Sequence, residues 1–398
     1  MRSTDFQPQS PGKLVATSFS ENLGGKAMAR AGLAFVPADL PPRLDRIALT
    51  GRLYQKLEAA TIKLARLDSI LGHLPSPTVL LSALRAREAQ ASSRIENTFA
   101  TLDQVALAGL APKGGDTQES EVGRNVAMIE AGLAASWPIG RALIREMHKV
   151  LIKDPKLRPG EFRVSQVCIG DRSRGFEHAR FVPPPPTHLN DCLEAWEHFA
   201  NLRGDGASWP TLLRLGLEHY QFETIHPFDD GNGRLGRALV TIAPVKEGYL
   251  THPVCNISEW VYDHRDEYYD GLLRVSTHGD WDRWLSYFCS ALAEQAQSDL
   301  ARVQRLIGLM GKYRKGLIGK RRSTFPQQLI DFVFIYQVMT IPWAAKLLKV
   351  TYASARQHVD ALVRQGVLEE PFDHLRLGKV FMPREIIDAI RGPGGWDG

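Results

Sequence analysis

Residues 226–237 constrain the fold more than any other stretch. They read His226-Pro-Phe-Asp-Asp-Gly-Asn-Gly-Arg-Leu-Gly-Arg237, between the apolar-rich segments TLLRLGLEHYQFETI and ALVTIA. Both flanks have helical apolar spacing, so one helix must end near Ile225 and another must start near Asn232. Gly231, Asn232 and Gly233 make the turn, and the glycines remove the Cβ atoms that would keep a ligand off the backbone. A helix start leaves N–H groups without intrahelical acceptors, and the aligned peptide dipoles add positive potential there. Such an end favours an anion. Arg234 and Arg237 lie three apart, so both guanidinium groups reach one side and can clamp phosphate oxygens. Asp230 stands just before the turn, placed for Mg²⁺ bridging two phosphates, because a hard cation takes oxygen ligands.

A chain of 398 residues is too long for one ordinary core and implies two or three domains. Its formal charge of +5 tolerates a polyanionic ligand without calling for one. Cys168, Cys192, Cys255 and Cys289 lie far apart with no CxxC spacing, which suits reduced thiols in a cytoplasmic protein. No apolar run is long enough to span a bilayer, and the first residues carry no secretory pattern. A soluble, cytoplasmic chain is expected, with no membrane partner.

The expected architecture is mainly α. Residues 1–44, rich in Gly, Pro and Ser, read as an extended arm. Residues 45–118 form a helical N-terminal region and 119–300 a helical core. Within that core, RVSQVCIG and ARFVP predict a hairpin over 162–182, ended by Pro183 to Pro186. Pro244 should end or kink the helix that starts at Asn232. Residues 301–324 hold a basic run, Lys312 to Arg322, read as a solvated linker. Over 325–392 three short helices precede two strand-like runs, a winged helix-turn-helix pattern, with Thr340 as an N-cap.

The string 226–237 matches the Fic-family signature HxFx(D/E)GNGRxxR at every specified position. The chain resembles the Fic-domain protein adenylyltransferases over about residues 35–300. That resemblance implies a Fic-type helical core with a β-hairpin flap, binding ATP with Mg²⁺ and moving AMP to a Tyr, Thr or Ser hydroxyl of a protein, with self-modification included. It implies His226 as the catalytic base, Gly231, Asn232, Gly233, Arg234, Leu235, Gly236 and Arg237 as phosphate contacts, and Asp230 as the metal ligand. Gly233 stands where kinase-like relatives carry a bulky basic residue, so room for the adenylylating orientation is kept. The 162–182 hairpin resembles the flap that docks a target segment. Tyr262 and Tyr269, seven apart and so expected on one helix face, resemble adenine-side residues.

Ser92-Ser93-Arg94-Ile95-Glu96-Asn97 matches the family's inhibitory pattern (S/T)xxxE(G/N), with Ser92 first and Glu96 as the acid. The same site, with Glu96 orienting a water, is also compatible with AMP removal. His219 is expected to be a packed helix histidine. The alternative from another class is a DNA-binding regulator that uses the winged helix, with the Fic core sensing nucleotide. Its recognition helix would offer Arg356, Gln357, His358 and Arg364, and its wing Arg376 and Lys379, which is thin for phosphate contact. A homodimer is a further expectation.

Overall fold

The computed structural model describes residues 3–23, 26–42, 50–74, 76–110, 117–170, 178–202, 209–316, 324–369, 372–374 and 378–392. In chain order, strands β1 (Gly12–Leu23) and β2 (Lys26–Pro37) come first. Helices α1 (Gly51–Gly72), α2 (Thr78–Ile95), α3 (Leu102–Leu110), α4 (Gln118–Ala134) and α5 (Arg141–Leu151) follow. Then come α6 (Pro186–Ala200), α7 (Thr211–Ile225), α8 (Asn232–Lys246), α9 (Ser258–Asp263), α10 (Arg265–His278) and α11 (Trp281–Lys315). The C-terminal part is α12 (Phe325–Tyr336), β3 (Met339–Thr340), α13 (Ile341–Leu348), α14 (Tyr352–Arg364), β4 (Phe372–His374), β5 (Gly378–Phe381) and α15 (Arg384–Arg391). None of the described helices is long and apolar enough to cross a membrane. All four cysteines are buried, and none is in a disulfide.

The chain divides into two compact units, one of residues 1–65 and 127–295 and the other of 66–126 and 296–398. The first is organised around α7. Every residue from Leu212 to Ile225 is buried, including Arg214, Glu218, His219 and Glu223. Its charges are matched locally: Arg214 bonds Glu218 at 3.2 Å and also pairs with Glu247. Trp196 and Trp284 send their indole N–H groups to the carbonyls of Glu218 and Gly216, so buried donors find acceptors on the central helix.

The N-terminal segment departs from the extended arm expected of it. β1 and β2 form an antiparallel hairpin in continuous register from Gly12↔Pro37 to Leu23↔Lys26. The glycines that suggested a loose arm make room for rings. A Cβ at Gly32 would come within 2.2 Å of the Phe19 ring, and one at Gly12 within 2.5 Å of the Phe35 ring. Phe19 and Ala34 are buried in a cluster with Cys168, Ala179 and Val182, and the Phe35 N–H donates to the Val182 carbonyl at 2.9 Å.

The hairpin expected over 162–182 is reduced, among the described residues, to one antiparallel bridge between Ile169 and Phe181, while 171–177 lie outside them. Side chains take the place of a ladder. Gln166 donates to the carbonyls of Val167 and Pro183, and Thr17 of β1 donates to Gln166. Pro183 to Pro186 have no N–H to pair. Pro244 also acts more mildly than expected: α8 contains it and ends two residues later, at Lys246.

In the second unit, α2 is buried from Val79 to Ile95 apart from Ser82, Arg85 and Ala86. It packs along α12 and against α15. The strands β3, β5 and β4 form a three-stranded antiparallel sheet in that order. Val338, Val380, Met382 and Ile387 form a core that Ala106 and Leu107 of α3 also touch. Asp103 of α3 pairs with both Arg384 and Arg391 of α15. Thr340 caps α13 by accepting from the Trp343 N–H, and Thr351 caps α14 by accepting from that of Ser354. The segment expected as a linker continues α11 to Lys315, while 317–323 lie outside the described residues. In that helix Arg302 is buried and donates to the Ile390 carbonyl. On α14, Arg356 and Gln357 are exposed, but the His358 ring turns toward Phe325, with centroids 5.4 Å apart. Arg376 lies outside the described residues.

Candidate active site

The turn between α7 and α8 has the expected form, with details that only the geometry gives. His226 is the C-cap of α7 and holds a left-handed conformation, φ 51°, uncommon for a residue with a Cβ. Its Nδ1 lies 3.4 Å from the Glu223 carbonyl. A carbonyl only accepts, so this contact puts the proton on Nδ1 and the lone pair on Nε2. Gly231, φ 78°, is the N-cap of α8. A Cβ there would be strained and would stand 3.0 Å from Leu151, so the position requires glycine.

Several residues expected as phosphate contacts have other work. Asn232 accepts from the Phe228 N–H and donates to the Phe228 carbonyl, both at 2.9 Å, so its amide closes the loop on itself. Leu235 is a fully buried core side chain whose N–H already donates to the Gly231 carbonyl. A Cβ at Gly236 would come within 2.2 Å of the Glu223 carboxylate, so this glycine lets α8 approach α7. The N–H groups ahead of Leu235, on Gly231, Asn232, Gly233 and Arg234, are the ones that α-helix geometry leaves for an anion. Arg234 and Arg237 are both buried on α8, and the exposed Asp230 carboxylate lies 3.4 Å from Arg234.

Two residues of the site escaped the sequence reading. Arg163, fully buried, spans the base of the turn. Its Nε donates to the His226 carbonyl at 2.8 Å, and its terminal nitrogens donate to the carbonyls of Ser165, Pro184 and Ile225. Burial pushes its pKa down to about 10, still high enough to keep the charge at neutral pH. Nothing in FRVSQV sets this arginine apart from a surface one. His148 of α5 reaches the other end of the loop, at Asp230. Here a signal existed, because His148 interrupts the apolar stripe Ile144, Met147, Leu151.

His219 is the packed histidine expected. Its Nδ1 donates to the Gly236 carbonyl at 3.2 Å and its Nε2 accepts from the Tyr268 hydroxyl at 2.8 Å. Burial, then the Arg237 charge, lowers its pKa to about 3, so it is neutral and structural. The two tyrosines expected on one helix face do not share a helix. α9 ends at Asp263 and α10 begins at Arg265, with the His264 N–H closing the break onto the Trp260 and Val261 carbonyls. Tyr262 lines a surface hollow made by residues 262–267. Tyr269 is half-buried, with the Arg180 guanidinium 5.7 Å from its ring and Arg180 paired to Asp270. Glu96, in the second unit, is the C-cap of α2 and is exposed, while Ser92 is buried one turn earlier.

The arrangement pairs a histidine nitrogen lone pair with a helix N-terminus and two buried arginines. That is a means of moving a proton beside a bound polyphosphate. Residues 54–134 match the Fic/DOC family N-terminal model and residues 138–243 the Fic/DOC family model. A protein adenylyltransferase Fic of Drosophila grimshawi is 31% identical over 169 residues, 42% of this chain and 31% of that protein. One of Aedes aegypti is 34% identical over 139 residues, 34% of this chain and 24% of that protein. The matched regions thus span less than a third of either relative. The crystal structure of a Fic family protein from Desulfovibrio desulfuricans superimposes with a TM-score of 0.54 at 19% identity. It covers 85% of this chain and 97% of that one, and so shows a shared fold.

Proposed function

We propose that the chain, which matches the Fic/DOC family models over residues 54–134 and 138–243, transfers AMP from ATP to a hydroxyl group of a protein. The observation that carries this reading is the position of His226. Its ring is fixed by Glu223 so that Nε2 has the lone pair, five residues before the phosphate-binding turn of α8 begins at Gly231. In the proposed step, Nε2 takes the proton of the target hydroxyl as its oxygen attacks the α-phosphorus. The bond from that phosphorus to the oxygen bridging the β-phosphate breaks, and pyrophosphate leaves. Arg234, Arg237 and the N–H groups of the first turn of α8 take up the charge that develops on it.

Asp230 suits a Mg²⁺ ion, since its carboxylate is exposed at the mouth of the turn and a Mg²⁺ held by one carboxylate plus phosphate oxygens is an ordinary arrangement. When bound, that ion would neutralise phosphate charge. The target segment docks on the 162–182 stretch, in which Arg180 lies against the half-buried ring of Tyr269. We assign Glu96 the restraining role that the inhibitory pattern carries. The C-terminal winged-helix unit selects or assembles with partners, DNA being the alternative to protein.

The test is transfer of label from α-labelled ATP to protein in a lysate and to the chain itself. His226→Ala is expected to keep ATP binding and lose transfer by at least ~100-fold, the low end for general-base catalysis. Transfer by this variant at the wild-type rate would remove His226 from the reaction.

A further inference from the structure

His148 is fully buried, and its ring lies flat against that of Phe228 within the 226–237 string, with centroids 3.9 Å apart and planes 9° apart. Its two nitrogens face different backbone groups. Nδ1 is 2.8 Å from the Gly160 amide nitrogen, and Nε2 is 3.1 Å from the Asp230 carbonyl oxygen. An amide N–H can only donate and a carbonyl can only accept, so the two contacts together allow a single tautomer. Nδ1 carries the lone pair, and Nε2–H donates to Asp230.

The consequence lies one peptide further on. The unit joining Asp230 to Gly231 is planar and trans, so its C=O and N–H point in opposite directions. Holding the Asp230 carbonyl toward α5 turns the Gly231 N–H away from α5. Gly231 is the N-cap of α8, the residue at which the anion-binding end begins. Its left-handed backbone gives this peptide more rotational choice than an ordinary residue would allow, so an external hold has something to fix.

We propose that His148 is a positioning residue for nucleotide, one that aims the Gly231 N–H at the phosphates through the Asp230 carbonyl. The inference rests on the reading of the turn as an ATP site. Two substitutions separate its two hydrogen bonds. His148→Gln places an amide N–H about where Nε2–H stands and keeps the hold on Asp230. His148→Asn places an amide oxygen about where Nδ1 stands and keeps only the Gly160 contact.

The experiment uses the full chain, with folding of each variant followed by circular dichroism and the affinity for ATP followed by calorimetry. His148→Gln is expected to bind ATP within about threefold of wild type. His148→Asn is expected to bind about tenfold more weakly, the worth of one net hydrogen bond. Equal affinities in the two folded variants, or a weaker His148→Gln, would overturn the proposal, because packing or the Gly160 contact would then be what matters. Nitrogen-15 spectra of histidine-labelled wild type without nucleotide give an independent reading: Nε2–H supports the proposal and Nδ1–H sinks it. A wild-type chain that binds no ATP would take down the functional reading as well. Wild type that transfers AMP while the two variants behave alike would remove only His148's role.

Discussion

The turn at 226–237 and the end of α2 at 92–97 both lie at the terminus of a buried helix, yet they are secured in different ways. The turn is held by its own unit through backbone carbonyls. Arg163 takes four of them, Asn232 closes onto Phe228, and His148 takes Asp230. The end of α2 is held by side chains bonded both to backbone carbonyls and to one another, and by remote sequence. Asn125 donates to the Ala89 carbonyl and to the Ser93 hydroxyl, and Gln90 joins Arg87 to the Ala100 carbonyl. α12 and α15, from the far end of the chain, supply its packing. The turn is thus held mainly by donors to its own backbone, and α2 also by packing on helices from far along the sequence.

The largest expected effect tests the first half of that contrast. Arg163→Met keeps the bulk but takes the donor from four carbonyls, two of them in fully buried contacts. A stability loss of about 3–5 kcal/mol is expected, read as a lower denaturant midpoint. A midpoint within error of wild type would mean that the carbonyls have other partners and that the turn holds itself.

Glu96→Gly probes the second half. If Glu96 restrains the clamp, its removal raises AMP transfer by about tenfold, equivalent to about 1.4 kcal/mol of barrier, and raises self-labelling with it. Arg237→Ala should be inactive with or without Glu96. Activity in the double variant would show that transfer does not need Arg237. An unchanged rate in folded Glu96→Gly would reduce Glu96 to an ordinary exposed C-cap.

The smallest effect joins the two regions. Ending the chain after residue 323 strips α12 and α15 from α2 while leaving the turn's own contacts in place. ATP affinity should stay within about twofold and basal transfer should rise about threefold, a fraction of the Glu96→Gly effect, because a loosened α2 still carries its carboxylate. Calorimetry and self-labelling on the truncated chain read both numbers. Lost ATP binding in a folded truncation would erase the distinction between the two regions.

The site was legible where local rules suffice. Apolar spacing and a glycine turn gave the ends of α7 and α8 to within a residue, since a helix must stop where a left-handed residue begins. Thr340 could be read as a cap because capping involves only residues three apart. The same locality misled in two places in the first unit. Gly12 and Gly32 suggested a loose arm, although they are small so that Phe19 and Phe35 can lie across the strands. Tyr262 and Tyr269 have helical spacing, but a break at His264 that no proline or glycine announces puts them on separate helices.

By itself, then, the sequence determined which residue types meet at the turn, because His226, Gly231, Arg234 and Arg237 are neighbours along the chain and their relative placement follows from helix geometry. Only the tertiary structure decided what holds them. Arg163 lies 63 residues from His226 and His148 lies 82 residues from Asp230. A buried cation or imidazole chooses its carbonyl partners by where packing leaves an unmet acceptor. That choice depends on every element around it, and no spacing along the chain records it.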